Sequence, residues 1–188
     1  MRLSKDYQYQ ILCEDAQMRS FILGVLSHQG INARKIRVKN YPCGDGCGEA
    51  FVKREFPKEV KILRSTGYNK KVLIVCTDAD NLSVNERKRI LMTGLEDEQS
   101  CRDLSGEQII IWVPKREIET WIYFLRGEDV DIERSYRHSG NPVRCREEAK
   151  VFSLYCQGIK DIDCKNVISL EDAKAEYTRV CELQRERS

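Results

Sequence analysis

Four acids in this chain stand where side chains can do chemistry: Glu14, Asp78, Asp80 and Glu119. Glu14 closes a run of aromatic and β-branched residues over 7–13. Asp78 and Asp80 follow the apolar run 72–76 in the order Cys76-Thr77-Asp78-Ala79-Asp80. On an extended backbone, residues i and i+2 point to the same side, so this spacing predicts two neighbouring carboxylates. Held together, they repel unless a cation lies between them. A hard, oxygen-liganded ion such as Mg²⁺ or Mn²⁺ relieves that repulsion and suits phosphate chemistry. Glu119 lies early on the helix expected after the apolar run 109–113 and adds a further acid. Aspartates at strand ends also cap helices and solvate turns, so a D-x-D spacing alone carries little weight.

The elements that must position these acids alternate. Residues 7–13 read as a strand ending at Glu14. Met18, Phe21, Ile22, Val25 and Leu26 have the spacing of an amphipathic helix, stopped by Gly30. A second strand is expected over 35–41, closed by Pro42 and the glycines that follow. Val52, Phe56, Val60 and Leu63 mark a helix expected to kink at Pro57. The runs 72–76 and 109–113 are apolar throughout, as parallel strands buried on both faces are. Between them, Ser83 and Glu86 form a capping-box signature for a helix to about residue 95. Ile118, Trp121, Ile122 and Leu125 define the next helix. Residues 127–142 show no periodicity and read as a long loop or lid. Two helices follow, one on Cys145, Ala149, Phe152 and Cys156, the other on Leu170, Ala173, Tyr177, Val180 and Cys181. This order predicts an α/β fold, a parallel sheet of about four strands flanked by helices. Residues 1–126 form the α/β domain, and 127–188 a loop and C-terminal helical extension packed on it. Ligands of such a sheet bind beyond the carboxyl ends of its strands, where Glu14, Asp78 and Asp80 fall.

Composition bounds the setting. With 188 residues, 41% of them hydrophobic and 33% charged, the chain suits one globular domain. No apolar run approaches the roughly 20 residues of a membrane span. The first residues lack the apolar core of a signal peptide, so a cytoplasmic location is expected. Nine cysteines, most on apolar stripes, fit reduced thiols acting as small hydrophobes. Cys43 and Cys47 have C-x3-C spacing in a glycine-rich loop, but a zinc site wants a second ligand pair, and neither His28 nor His138 offers one nearby. Net charge is +2, yet from Arg34 to Lys71 eleven bases face four acids. Lys53, Arg54, Lys58 and Lys61 are candidates for attracting a nucleic-acid backbone, and a solvated helix face is the plain alternative.

The strand-terminal Glu14, the D-x-D of Asp78 and Asp80, and a strand between them resemble the Toprim domain over residues 7–126. That fold occurs in type IA topoisomerases, bacterial primases and OLD-family nucleases. The segment Ile111-Trp112-Val113-Pro114, followed by Glu117-Ile118-Glu119-Thr120-Trp121, looks like small stand-alone Toprim-related proteins. The resemblance implies a Rossmann-like sheet and a Mg²⁺- or Mn²⁺-dependent nuclease acting on DNA or RNA. It makes Glu14 the acid/base or metal-bridging carboxylate, and Asp78 and Asp80 metal ligands. By the same analogy the chain serves phage defence, with a separate ATPase or a second copy of itself as partner. Asp15 stands where related nucleases usually carry glycine, and Met18 where they tend to have another acid. These departures count against a full two-metal site, and they leave open a catalytically degenerate Toprim acting as a binding or regulatory module of an ATPase complex.

Other chemistries lack their motifs. There is no G-x4-G-K-S/T for a P-loop. The Gly44-Asp45-Gly46-Cys47-Gly48 segment lacks dinucleotide spacing, so turn-making is its expected role. The haloacid-type D-x-D follows a first strand rather than a third. No elbow motif supports a Ser-His-Asp hydrolase.

Overall fold

The computed structural model describes residues 1–39, 48–67, 70–95, 104–137 and 143–187. They carry, in order, β1 (Gln8–Cys13), α1 (Ala16–His28), a 3-10 turn (Ala33–Lys35), β2 (Ile36–Val38), α2 (Gly48–Ser65), β3 (Lys71–Cys76), α3 (Val84–Met92), β4 (Ile109–Trp112), α4 (Ile118–Arg126), α5 (Arg146–Cys156) and α6 (Ile168–Glu186). The fold is α/β, with four parallel strands in the order β2-β1-β3-β4 flanked by helices. Strand β2 has three residues rather than the seven expected, and α2 runs through Pro57 as one helix. The expected capping box on α3 is present: Ser83 Oγ accepts from the Glu86 amide while Glu86 accepts from the Ser83 amide. Cys43, Cys47, Cys101, His138 and residues 44–46 of the glycine-rich loop lie outside the described residues.

Side chains alternate across each strand, and on β3 and β4 both sides are buried. Tyr9, Ile11, Cys13, Val72, Ile74, Cys76, Ile110 and Trp112 enter one core with α1, α4, α5 and α6. Leu12, Leu73, Val75, Ile109 and Ile111 enter the other, under α2 and α3. That division explains why β3 and β4 read as unbroken apolar runs. The larger core centres on Phe152 of α5. Its ring lies 5.4 Å from Phe21, 5.2 Å from Trp112 and 5.5 Å from Trp121. Each such pair contributes roughly 0.5–1.5 kcal/mol beyond its buried area. Both indoles find acceptors on α6, Trp112 at the Ala173 carbonyl (3.2 Å) and Trp121 at Ser169 Oγ (2.8 Å). The C-terminal helices thus share the core of the sheet. Helix α1 meets α5 closely enough that a Cβ on Gly24 would come within 2.7 Å of Ala149 Cβ. Arg179 of α6 donates to the carbonyls of Leu104, Ser105 and Glu107 at 3.1, 2.9 and 2.8 Å, which covers the outer edge beside β4.

Cys13, Cys76, Cys145, Cys156, Cys164 and Cys181 are buried free thiols. Burial pushes the Cys13 thiol up to about 12, which suits a packing role rather than a reactive one. Among the described residues, no helix is long and apolar enough to cross a membrane.

The strand order has one functional consequence. From β1 the chain builds outward to β2 on one side, then to β3 and β4 on the other. Winding reverses between β1 and β3, and a parallel sheet opens its ligand crevice at such a reversal, beyond the carboxyl ends.

Candidate active site

Glu14 and Thr77 leave the two central strands at the same level, because Cys13 and Cys76 are register partners. The Thr77 hydroxyl donates to Glu14 Oε1. Burial pushes the Glu14 carboxyl up to about 7. Thr77 and Arg87 pull it down, while Asp80 and Glu49 push it further up. A carboxyl that titrates near neutrality can both take and return a proton. Gly48, the first residue of α2, lies against it: a Cβ there would come within 2.5 Å of the Glu14 carbonyl oxygen.

Asp78 is wholly buried. Its Oδ2 accepts from Arg137 Nη2 at 3.0 Å, and its Oδ1 has no hydrogen-bond partner among the described residues. Burial pushes this carboxyl well above the carboxylate range. Glu14, Asp15 and Glu119 raise it further, and Arg137 opposes them. Glu119, in the first turn of α4, is 6% exposed, and its Oε2 is also without a partner among the described residues. Its carboxyl is raised chiefly by burial, with Asp15 and Glu117 adding to it. Orphaned buried oxygens cost on the order of 1–3 kcal/mol each, so these two call for an explanation.

Asp80 behaves otherwise. The backbone is not extended through it: φ is +52°, in the left-handed region, and Arg116 opposite has φ +69°. The Asp80 amide donates to the Arg116 carbonyl at 3.2 Å, so the two strained turns brace each other. Strain of this kind gathers at functional sites. The expectation that D-x-D spacing aims both carboxylates one way therefore fails at this turn. Asp80 is half exposed and pairs with Arg87 at 3.0 Å, while Arg87 also bonds Glu49.

Other acids are committed locally. Asp15 caps α1, accepting from the Met18 amide at 2.8 Å, so it does not replace the acid that Met18 displaces; Met18 itself is core. Glu117 precedes α4 and accepts from Ser135 Oγ (3.0 Å) and the Tyr136 amide, tying down the segment 127–137. Among the described residues, no three carboxylates, imidazoles or thiols form a ready cage for a metal ion.

Lys53, Arg54, Lys58 and Lys61 are all exposed on α2. Arg54 and Lys58 pair with Glu55 at 3.0 and 2.9 Å, as does Lys39 at 3.2 Å. These contacts, Lys58 first, lower the Glu55 carboxyl to about 2 against its desolvation. Half of the basic patch is thus neutralised at home. Lys53 and Lys61 make no ion pair among the described residues.

Sequence reasoning missed Thr77, Arg87 and Arg137. Arg87 was open to discovery, since it takes a core-facing place between Val84 and Leu91 on an otherwise apolar stripe. Arg137 falls in the aperiodic segment, where no pattern marks it.

Compared with protein-family models, with curated proteins and with solved structures, the chain matches none.

Proposed function

We propose that this chain is a metal-dependent phosphodiesterase acting on nucleic acid, with its reacting centre in the crevice between β1 and β3. The observation that carries this reading is the unpartnered Oδ1 of Asp78, buried among Glu14, Glu119 and Arg137. The donor set fits a hard cation: oxygen atoms only, two of them orphaned, beyond the carboxyl ends of the strands. Asp78 and Glu119 would hold Mg²⁺ or Mn²⁺, which when bound supplies positive charge at a phosphoryl group. Glu14 handles the proton. The Thr77 hydroxyl engages Oε1 and fixes the carboxyl, leaving Oε2 to take a proton from the attacking water. Asp80 stays with Arg87 and shapes the turn. The exposed bases of α2 would track the phosphate backbone.

The test is incubation of the protein with plasmid, single-stranded DNA and tRNA in Mn²⁺, beside Glu14→Gln and Asp78→Asn. Cleavage lost in both variants supports the enzyme. Cleavage that survives both would put the active site elsewhere. A second reading, a Toprim-like binding module without cleavage, is favoured by the arginines already paired with Asp78 and Asp80. Binding that persists while no substrate is cut in any metal would select it.

A further inference from the structure

The Asp78 carboxylate has a cation on it already. Arg137 belongs to the segment that follows α4, whose described residues 127–137 lie against α4 through several independent contacts. Ser135 Oγ and the Tyr136 amide donate to Glu117. The Tyr136 ring lies 5.5 Å from Tyr123, and the Arg134 guanidinium sits over the ring of Tyr136 at 5.6 Å. This strap delivers Arg137 Nη2 to Asp78 Oδ2 at 3.0 Å, and that is the guanidinium's one hydrogen bond among the described residues.

Exposure is unequal across the pair: the Arg137 side chain is 55% exposed and that of Asp78 is 0%. Asp78, Glu119, Glu117 and Asp15 are the acids whose charge acts on Arg137. A monovalent guanidinium therefore sits among the acids to which a divalent ion would be drawn, and it leaves Asp78 Oδ1 and Glu119 Oε2 unsatisfied. A guanidinium and a divalent cation on one carboxylate repel each other, and water around the half-exposed guanidinium lessens that repulsion without removing it. Only one of them can hold Asp78 well.

We propose that Arg137 governs cation loading at this site: it is the resident counter-charge of Asp78, and a divalent ion must displace it. The proposal rests on the metal reading above. Displacement is feasible because more than half of the side chain already faces solvent and its single hydrogen bond among the described residues is to Asp78 Oδ2, beside the unpartnered Oδ1. Withdrawal of the strap frees both oxygens of Asp78 to hold an ion with Glu119, whereas with Arg137 in place no three acids among the described residues form a cage.

The test is calorimetric titration of the full chain with MnCl₂ at pH 8, with melting curves to show that each variant is folded. Arg137→Ala is expected to bind Mn²⁺ at least roughly tenfold more tightly than wild type. Arg137→Lys keeps the charge and stays within about threefold of wild type. Ser135→Ala loosens the strap without touching Asp78 and shifts affinity the same way as Arg137→Ala, so the proposal stands or falls on it should Arg137→Ala not fold. Equal or weaker binding in these two variants overturns the proposal. Asp78→Asn separates the two claims. If it abolishes binding while Arg137→Ala changes nothing, only the Arg137 proposal fails. If it binds as wild type does, the metal reading fails and takes the proposal with it. Should wild type show no binding, its appearance in Arg137→Ala supports the proposal, and its absence there ends both.

Discussion

Asp78 and Asp80 stand two residues apart and each holds an arginine, but the two ion pairs are inverted. In the first the acid is buried and the base half exposed, 0% against 55%. In the second the base is buried and the acid half exposed, 3% against 51%. A buried arginine shared between Glu49 and Asp80 has its charge answered and nowhere better to go. A half-exposed arginine regains its hydration easily when it leaves, and the buried acid it leaves then takes up a proton or another cation. Asp80, with φ in the left-handed region, holds its carboxylate at the half-exposed rim, while that of Asp78 is wholly buried.

The sharpest way to break this contrast is activity. Glu14→Gln and Asp78→Asn should each lower cleavage by on the order of a hundredfold or more, the usual worth of a positioned proton carrier or a metal ligand. Asp80→Asn should retain most of it. Equal losses in Asp78→Asn and Asp80→Asn would return both aspartates to one role.

Next in size is the pH dependence of stability. Glu14 has its carboxyl raised to about 7 in the fold, so between the ordinary carboxylate range and pH 7 the folded state binds more protons than the unfolded one. Stability from this group is therefore fully present below about pH 4, falls as pH rises, and levels above about 7. The loss is roughly 2–3 kcal/mol. Urea midpoints at pH 5 and pH 8 would measure it. Glu14→Gln should flatten the profile and be the more stable protein at pH 8; a slope unchanged by the substitution would assign it to another group.

Arg87→Met probes the rim pair. It should cost about 1–3 kcal/mol, because a buried donor to two acids is lost, while Asp80→Asn should cost no more than about 1 kcal/mol, its carboxylate being half solvated. A larger cost for Asp80→Asn than for Arg87→Met would invert the assignment. The smallest effect concerns α2. Replacing Lys53, Arg54, Lys58 and Lys61 together should flatten the salt dependence of nucleic-acid binding by about two counterions rather than four, because Glu55 already engages Arg54 and Lys58. A change near four would mean that Glu55 releases them on binding.

Much of the scaffold is legible in the sequence because its signals are local and repeated. The unbroken apolar runs of β3 and β4, the Ser83–Glu86 box and the Trp121 stripe each specify an element without outside help. Glu14 could be placed at the end of a central strand because strand ends follow from where apolar runs stop. What stayed hidden depends on single torsions or on distant partners. The D-x-D spacing says nothing of a left-handed φ at Asp80. Asp15 stands where the resemblance expects glycine, and only the start of α1 one residue later shows it to be a cap. Arg137 meets Asp78 across 59 positions of chain, and no periodic pattern reaches that far.

The central claim is that Asp78, and not Asp80, is the carboxylate on which a divalent cation depends. Paramagnetic resonance titration of Mn²⁺ into wild type, Asp78→Asn and Asp80→Asn tests it without relying on a substrate. The account predicts saturable binding in wild type and Asp80→Asn, and its loss in Asp78→Asn. Binding that persists in Asp78→Asn, or that disappears in Asp80→Asn alone, would contradict it.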